Sequence, residues 1–269
     1  MNIQKNIHSK TIVFITGAFV TSDCWDKWKN FFEQKGYECL VLPWPNKEAS
    51  ASTLRNRHPD EAIAKMRLTT LTDFYERQIS VMAEKPILIG HSMGGLITQI
   101  LLQRNLAAAG VAIHPVAPQG VISFSLSMLR AVWGPLGLFT SVKKPFMMTF
   151  KQWQFAFTNG MAEGQQKAAY EKYCIPESKL ISRDGLTKAA HIDFKKYHAP
   201  LLITAGSTDH IVPSKLNYAN YKKYQSGSVI DFKEFAGRNH FVLGQPTWQQ
   251  DAQYIYDWLQ NKIRAGCLE

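Results

Sequence analysis

The chain has 269 residues, 45% of them hydrophobic, and a formal net charge of +10, so it can bury a large core as one domain or as a domain with an insertion. No stretch approaches the ~20 consecutive apolar residues of a membrane span, which excludes stable membrane insertion. The basic residues form scattered pairs, such as Lys143-Lys144 and Lys222-Lys223; this argues against a nucleic-acid site, for which a basic stripe is typical, and leaves attraction to anionic substrates or membrane surfaces open.

The four cysteines show neither a Cys-x-x-Cys pair nor the spacing of metal ligands; they are Cys24, Cys39, Cys174 and Cys267. We therefore expect reduced, mostly buried thiols in a cytoplasmic protein without a metal site. The apolar run at 11–20 is interpreted as containing a strand and not as a signal peptide, because Thr21-Ser22-Asp23 follows it where a small-residue cleavage site would stand.

The first 120 residues alternate between strands and helices. Continuous apolar runs predict strands at 11–16, 38–42, 86–89 and 110–114. Amphipathic patterns predict helices from Trp25 to near Gly36, at 71–83 and at 96–102, whereas 46–69 is polar and loop-like with a short helix around 60–66. This alternation predicts an α/β fold with a doubly wound, mostly parallel sheet that is covered by helices on both faces.

Residues 121–199 interrupt this alternation. They are rich in bulky apolar residues and contain helix-like stretches at 125–131, 150–157 and 164–173, but no strand pattern. Strands are predicted again at 200–206 and 229–235, with helices at 215–224 and 248–263. We therefore predict a core of residues 1–120 and 200–269 with 121–199 inserted as a helical cap (lid) over the carboxyl ends of the strands; the alternative is that these helices belong to the main core.

The hexapeptide Gly90-His91-Ser92-Met93-Gly94-Gly95 lies between a predicted strand and a predicted helix. A strand, Gly-x-Ser-x-Gly and a helix form the context of a nucleophile elbow. Its serine occupies a strained turn, and the flanking positions must be small so that strand and helix can approach. The N-terminus of the following helix favours an oxyanion at the reacting centre. The motif therefore predicts Ser92 as a nucleophile.

A serine nucleophile needs a base that takes its proton and an acid that orients the base. In the doubly wound hydrolase arrangement the chain order is Ser, then Asp or Glu, then His. Asp209 and His240 follow Ser92 in that order, each just beyond a predicted strand, where functional groups of such sheets collect. We predict Asp209 as the acid and His240 as the base. His114, at another strand end, either supports the site or is an ordinary core histidine.

With these residues the chain resembles capped members of the α/β-hydrolase superfamily over 11–265. Thr16-Gly17-Ala18 followed by Trp25 is similar to the His-Gly-Ala…Trp oxyanion loop of small bacterial and plant esterases and hydroxynitrile lyases, with Thr16 in place of the usual His. The resemblance implies that the backbone N–H groups of Ala18 and Met93 form an oxyanion hole, for which the side chain at position 16 is not required.

The candidate site and the resemblance predict a cofactor-free serine hydrolase that cleaves carboxylic esters of apolar small molecules. The alternatives are a lyase on the same scaffold and a receptor-like ligand-binding module that retains the triad. Hydroxynitrile lyases of the resembling family add a lysine near the base, whereas this chain offers only Arg238 near His240. Turnover of an ester would distinguish the enzyme from the binding module. These sequence patterns do not predict the oligomeric state.

The apolar cap predicts an apolar substrate pocket. We expect substrate contacts from two residues beside the reacting groups and from five aromatic residues of the cap: Phe19, His91, Trp133, Phe139, Phe146, Trp153 and Phe157. The alternative is that these aromatic residues only attach the cap to the core.

Overall fold

The computed structural model describes residues 9–123 and 125–264. It contains a six-stranded sheet whose strands β1 to β6, in chain order, are Thr11–Ile15, Glu38–Val41, Ile87–His91, Ala109–Ile113, Leu201–Gly206 and Ile230–Phe235. The order across the sheet is β2-β1-β3-β4-β5-β6, and every neighbouring pair is parallel. The predicted α/β fold with a doubly wound sheet is confirmed.

The strand order places two loops side by side at one edge of the sheet. β3, β4 and β5 are buried along their whole lengths, as continuous apolar strands of a sheet covered on both faces must be. The order of the strands reverses between β1 and β3, and open parallel sheets bind ligands at such a switch point. The loop after β1 and the loop after β3 therefore meet: a methyl group at Gly17 would lie 2.9 Å from Cβ of Ser92.

Helices cover both faces of this sheet. The α-helices of the described residues, α1 to α11 in chain order, are Asp26–Gln34, Ala51–Asn56, Glu61–Ala64, Leu68–Ser80, Met93–Gln103, Leu126–Leu136, Phe150–Ala156, Glu163–Tyr173, Lys179–Asp184, Ser214–Lys223 and Trp248–Arg264. α1 packs against α11, where Trp28 and Phe31 contact Trp248, and α5 packs against α4. No helix within the described ranges is long and apolar enough to cross a membrane.

Residues 121–199, which we call the inserted segment, lie between β4 and β5. They form α6 to α9 and a 3-10 turn at Lys188–Ala190, and their described residues add no strand to the sheet. Isolated bridges connect Val20 to Cys174 and Phe146 to Glu177. Contacts of α8 with α2 and of α9 with α4 attach the segment to the rest of the chain.

Two short helices were not predicted from the sequence. α2 begins after Ser50, whose hydroxyl accepts a hydrogen bond from the N–H of Thr53. α9 begins after Ser178, whose hydroxyl accepts from the N–H of Leu180. Each has only six residues, which is too short for helical periodicity to be recognised. α6 also continues beyond its predicted end, to Leu136, and stops where Gly137 adopts the left-handed conformation.

The described cysteines are buried and unpaired. Burial raises the pKa of Cys24 and Cys174 well above the ordinary thiol value, and that of Cys39 to about 12. These thiols are therefore protonated at neutral pH, whereas Cys267 lies outside the described residues.

Candidate active site

Ser92 stands between β3 and α5 in a backbone conformation that residues other than glycine rarely adopt, with φ 56° and ψ −117°. The turn is tight because α5 approaches β1 and β3 closely. A Cβ atom at Gly90 would lie 2.1 Å from the carbonyl oxygen of Gly94, and one at Gly94 would lie 2.1 Å from that of Ile15. Both positions therefore require glycine, which is the steric requirement of a nucleophile elbow.

Hydrogen bonds connect the side chains of Ser92, His240 and Asp209. His240 Nε2 lies 2.9 Å from Ser92 Oγ, and His240 Nδ1 lies 2.7 Å from Asp209 Oδ2. All three residues are buried. When Nδ1 donates its proton to the carboxylate, Nε2 is left as an acceptor for the proton of the serine hydroxyl. The structure therefore brings together the three residues that the sequence predicted to act together.

Asp209 is oriented from two sides. Its Oδ1 accepts hydrogen bonds from the N–H groups of Ile211 and Val212, both at 2.8 Å, and its Oδ2 accepts from His114 Nδ1 at 3.0 Å as well as from His240. Burial acts to raise the pKa of Asp209, but the His240 ring and the hydrogen bonds from His114 and His240 hold it well below its ordinary value. Asp209 is therefore ionised at neutral pH, and His114 supports it, which decides between the two interpretations of this histidine.

His91 lies behind His240 and not beside the substrate cavity. Its Nε2 donates a hydrogen bond to the backbone oxygen of His240 at 2.8 Å, and the two ring centroids are 4.9 Å apart. Burial and then the neighbouring rings of His240 and His114 lower the pKa of His91 well below its ordinary value. The ring is therefore neutral and fixes the backbone of His240, which corrects the prediction that His91 contacts the substrate.

Ala18 and Met93 line the same cavity as Ser92. Within the described ranges, neither backbone N–H donates a hydrogen bond to another residue. Met93 is the first residue of α5, so its N–H has no acceptor inside the helix. Two free donors beside the serine hydroxyl are what a developing oxyanion requires.

A buried ion pair holds the loop that carries Ala18. The N–H of the next residue, Phe19, donates to Glu177 Oε2 at 3.1 Å, and the same oxygen accepts from Lys47 Nζ at 2.5 Å. Burial acts to lower the pKa of Lys47, and Glu177 opposes this shift. Phe19 has a φ of 69°, which is rare for a bulky residue, so the contact stabilises strained backbone beside Ala18.

We expect Glu177→Gln to lower the free energy of unfolding by about 3–5 kcal/mol, because it leaves the Lys47 ammonium buried without a counter-charge. Lys47→Met should also be destabilising, and the double variant should lose less than the sum of the two single losses, since it removes both charges. Urea denaturation followed by far-UV circular dichroism measures all three variants.

The surface pair Lys29–Glu33 supplies a matched control, because its atoms are 3.7 Å apart and its side chains are 41% and 42% exposed. Glu33→Gln should change the free energy of unfolding by less than about 0.5 kcal/mol. Equal effects of the two Glu→Gln substitutions would show that Glu177 does not act through a buried ion pair.

A cavity of about 350 Å³ extends from Ser92 and His240 between the sheet edge and the inserted segment. Its walls are mostly apolar and include Val116, Val121, Met128, Val132, Val212 and Leu216. Among the described residues that line it, none is Asp, Glu, Lys or Arg. The cavity therefore offers mainly apolar contact area. Its polar groups are those of Ser92 and His240 and a few uncharged side chains.

The structure divides the six Phe and Trp residues among the predicted substrate contacts into three groups. Phe19 and Phe157 line the cavity. Trp153 is fully buried behind Phe157, with parallel rings 4.4 Å apart, and Phe146 packs edge-on against Phe19 at 6.2 Å. Trp133 and Phe139 are 64% and 88% exposed and lie outside the cavity.

These positions correct four of the aromatic predictions. Trp153 and Phe146 support cavity walls and do not form them, while Trp133 and Phe139 lie on the surface of the inserted segment. The reason is that apolar composition predicts how much surface a segment must bury, but not which side of a helix faces a cavity.

His114, Asp209 and His240 place one possible ligand atom each within 4.8 Å of the others, an arrangement that could hold a metal ion. The contacts from Asp209 Oδ2 to the two rings, 3.0 and 2.7 Å, are direct hydrogen bonds. Ligands about 2.0–2.2 Å from a tetrahedral zinc ion are farther from one another than this. In this structure the three side chains are therefore joined by hydrogen bonds, at distances shorter than those between two ligands of one zinc ion.

A family model described as "Alpha/beta hydrolase family" matches residues 12–249. No curated protein sequence matches the chain significantly.

Several solved structures share the fold at low identity. A monoacylglycerol lipase from Paleococcus ferrophilus is 18% identical, with a TM-score of 0.66 and 94% of each chain covered. An extracellular alpha/beta-hydrolase from a Paenibacillus species is 19% identical, with a TM-score of 0.66 over 92% of this chain and 98% of that one. Tomato methylketone synthase I, complexed with 2-tridecanone, is 15% identical, with a TM-score of 0.68 over 94% and 99%. At these identities the likeness shows the fold alone.

Proposed function

Because this chain belongs to the alpha/beta hydrolase family, we propose that it is a serine hydrolase that cleaves carboxylic esters of apolar small molecules. The observation that carries the proposal is the hydrogen-bonded series from Asp209 through His240 to Ser92, which ends at an apolar cavity. A serine hydroxyl becomes a useful nucleophile only when such a base and acid are in place.

In the first half of the proposed reaction, Ser92 Oγ attacks the ester carbonyl carbon while His240 Nε2 takes the hydroxyl proton. The carbonyl oxygen becomes an oxyanion, which the N–H groups of Ala18 and Met93 stabilise. The ionised Asp209 stabilises the imidazolium that forms. Collapse of the intermediate breaks the ester bond, and the departing alcohol takes the proton from His240, so that the acyl group remains on Ser92.

In the second half, a water molecule attacks the acyl carbon and His240 takes one of its protons. The same two N–H groups stabilise the second oxyanion. When the bond to Ser92 Oγ breaks, His240 returns its proton to the serine, and the carboxylic acid leaves. The cycle needs only groups present in the site, water and the ester.

The cavity favours the ester reaction over the lyase alternative. The hydroxynitrile lyases that this chain resembles use a lysine near the base. No lysine is among the described residues that line this cavity. Arg238, the basic residue closest to His240 in sequence, is directed elsewhere: it forms an ion pair with Asp251 at 2.8 Å and donates to Gln250. A binding module with the same side chains would hold an ester without consuming it.

Turnover of p-nitrophenyl esters tests the proposal, and kcat/KM should depend on acyl length. Each methylene buried in the apolar cavity should raise kcat/KM about fourfold, if the transition state gains the ~0.8 kcal/mol of its transfer. Values should therefore rise from acetate to medium-chain esters and fall once the cavity is full. No turnover of any ester would reject the proposal, and a flat profile from acetate to octanoate would reject the apolar specificity.

Val132 provides a variant that changes the cavity without touching the reacting groups. It lies on α6 and lines the cavity, so Val132→Phe should lower kcat/KM for octanoate relative to acetate by about tenfold, through steric exclusion of the longer chain. The control is Val81→Phe at a position that is 84% exposed and outside the cavity lining; its ester profile should match that of the unmodified protein.

A further inference from the structure

α6 is apolar on two sides, although only one of them is covered. Met128, Ala131 and Val132 line the cavity, whereas Leu126 and Trp133 are 79% and 64% exposed. The outward side of a surface helix normally carries polar and charged residues, whereas here Arg130 stands among large apolar side chains. Within residues 9–123 and 125–264, nothing covers these large apolar side chains on the outer side of α6.

The exposed surface extends beyond the helix. We call six side chains, each more than half exposed, the apolar rim: Ile122, Leu126, Trp133, Leu138, Phe139 and Leu186. The rings of Trp133 and Phe139 are 6.2 Å apart. Ile122 and Leu186 belong both to the apolar rim and to the cavity lining, so these two residues of the rim border the cavity. Groups of large exposed apolar side chains beside a cavity mark interaction sites.

The chain that carries five of the six rim residues has charged side chains of one sign only. Residues 121–162 contain no Asp or Glu but four basic residues, Arg130, Lys143, Lys144 and Lys151, all of them exposed. Lys143 and Lys144 follow Phe139 by only four and five residues. Large apolar side chains accompanied by lysine and arginine are the composition of surfaces that lie at the boundary between lipid headgroups and acyl chains.

We propose that the apolar rim docks onto a membrane surface that contains anionic lipids. Its apolar side chains would enter the acyl boundary while the four basic residues contact the headgroups. A second copy of this chain is a poorer occupant, because a symmetric contact would bring the same basic residues together. The inference goes beyond the proposed ester hydrolysis and does not depend on it, although docking would place the cavity next to a store of apolar substrates.

Vesicle co-sedimentation tests this proposal directly. We expect the protein to sediment with vesicles of phosphatidylcholine mixed with phosphatidylglycerol, to bind pure phosphatidylcholine vesicles much less, and to dissociate as salt is raised. Trp133→Ser/Phe139→Ser should lower the partition coefficient at least about tenfold, through loss of buried apolar area. Lys143→Gln/Lys144→Gln should lower it roughly 25-fold, at about fivefold for each lysine near an anionic surface.

Matched variants distinguish binding through the apolar rim from nonspecific hydrophobic binding and from an effect of net charge. Val81→Ser removes an apolar side chain that is 84% exposed but lies outside the rim, and Lys222→Gln/Lys223→Gln removes the same two charges from α10. Both should bind vesicles like the unmodified protein. Ser92→Ala should also bind normally, so a failure of docking and a failure of hydrolysis are distinguishable.

Three results would overturn the proposal. The first is equal binding to vesicles with and without phosphatidylglycerol, and the second is unchanged binding of the Trp133→Ser/Phe139→Ser variant. The third is a dimer, detected by sedimentation velocity, that this variant abolishes, because the apolar rim would then be occupied by a second copy.

Discussion

Ser92→Ala is expected to lower kcat by a factor on the order of 10⁶, because the acyl-enzyme can no longer form and the rest of the site then contributes only residual catalysis. The fold should be retained, since the substitution removes one oxygen whose hydrogen bond is to His240 Nε2 and leaves the backbone of the turn in place. KM should change much less than kcat, because the cavity walls that bind the substrate are untouched.

Covalent labelling identifies the nucleophile independently of turnover. A fluorophosphonate should modify one residue stoichiometrically, and intact mass spectrometry should show no adduct on Ser92→Ala. Ser123 and Ser182 line the same cavity, so Ser123→Ala and Ser182→Ala are matched controls that should still be labelled. An adduct that survives Ser92→Ala would assign the chemistry to a different residue.

The sequence predicts the reacting residues because the requirements of the elbow are local. Gly90 and Gly94 are needed within a single turn, since a Cβ at either position would collide with backbone atoms. Asp209 and His240 could be placed because parallel strands direct their carboxyl ends to one edge. The order of the strands, and with it the proximity of Gly17 to Ser92, was not predicted and comes from the structure.

The contacts that hold the oxyanion loop and the backbone of His240 in place could not be predicted. They join residues that are distant in sequence and that belong to no common sequence pattern. Glu177 and Lys47 are 130 positions apart, and each alone resembles a solvated charge. His91 appears in the elbow motif, yet its role depends on the backbone of a residue 149 positions later. Only tertiary packing decides which buried polar atoms meet.

The inserted segment shows a different limit of sequence reasoning. Its aromatic residues were expected to face a pocket, since bulky apolar side chains are usually buried. Trp153 and Phe157 obey that rule, but Trp133 and Phe139 do not. The periodicity of α6 could not reveal this, because apolar residues occupy both of its sides, and a pattern with two apolar faces does not indicate which one the core covers.

Asp209→Asn is expected to lower kcat about 10⁴-fold at neutral pH while the protein remains folded. The amide would donate a hydrogen bond to His240 Nδ1 where the carboxylate now accepts one. The imidazole proton would then reside on Nε2, which faces Ser92 Oγ at 2.9 Å, so the ring could no longer accept the serine proton. Steady-state kinetics with the preferred ester measures the loss.

Asp184→Asn is the matched control for this substitution. Asp184 is also buried, but its carboxylate accepts from the N–H of Leu68 and forms an ion pair with Arg67. Its replacement should affect stability and leave kcat within a few-fold. Near-normal turnover of Asp209→Asn, or an equal loss in Asp184→Asn, would remove Asp209 from the proposed acid role.

Asp209→Asn should also change how the free energy of unfolding depends on pH. Because the pKa of Asp209 is held well below its ordinary value in the folded state, ionised Asp209 stabilises the protein above the unfolded pKa of about 3.9, and this contribution is lost as the pH falls through the folded value. Asp209→Asn lacks the titrating group. The difference in free energy of unfolding between the unmodified protein and this variant should therefore be constant near neutrality and should decrease below about pH 4. Urea denaturation at a series of pH values measures it. A difference that stays constant down to pH 2 would mean that His114 and His240 do not stabilise the ionised carboxylate.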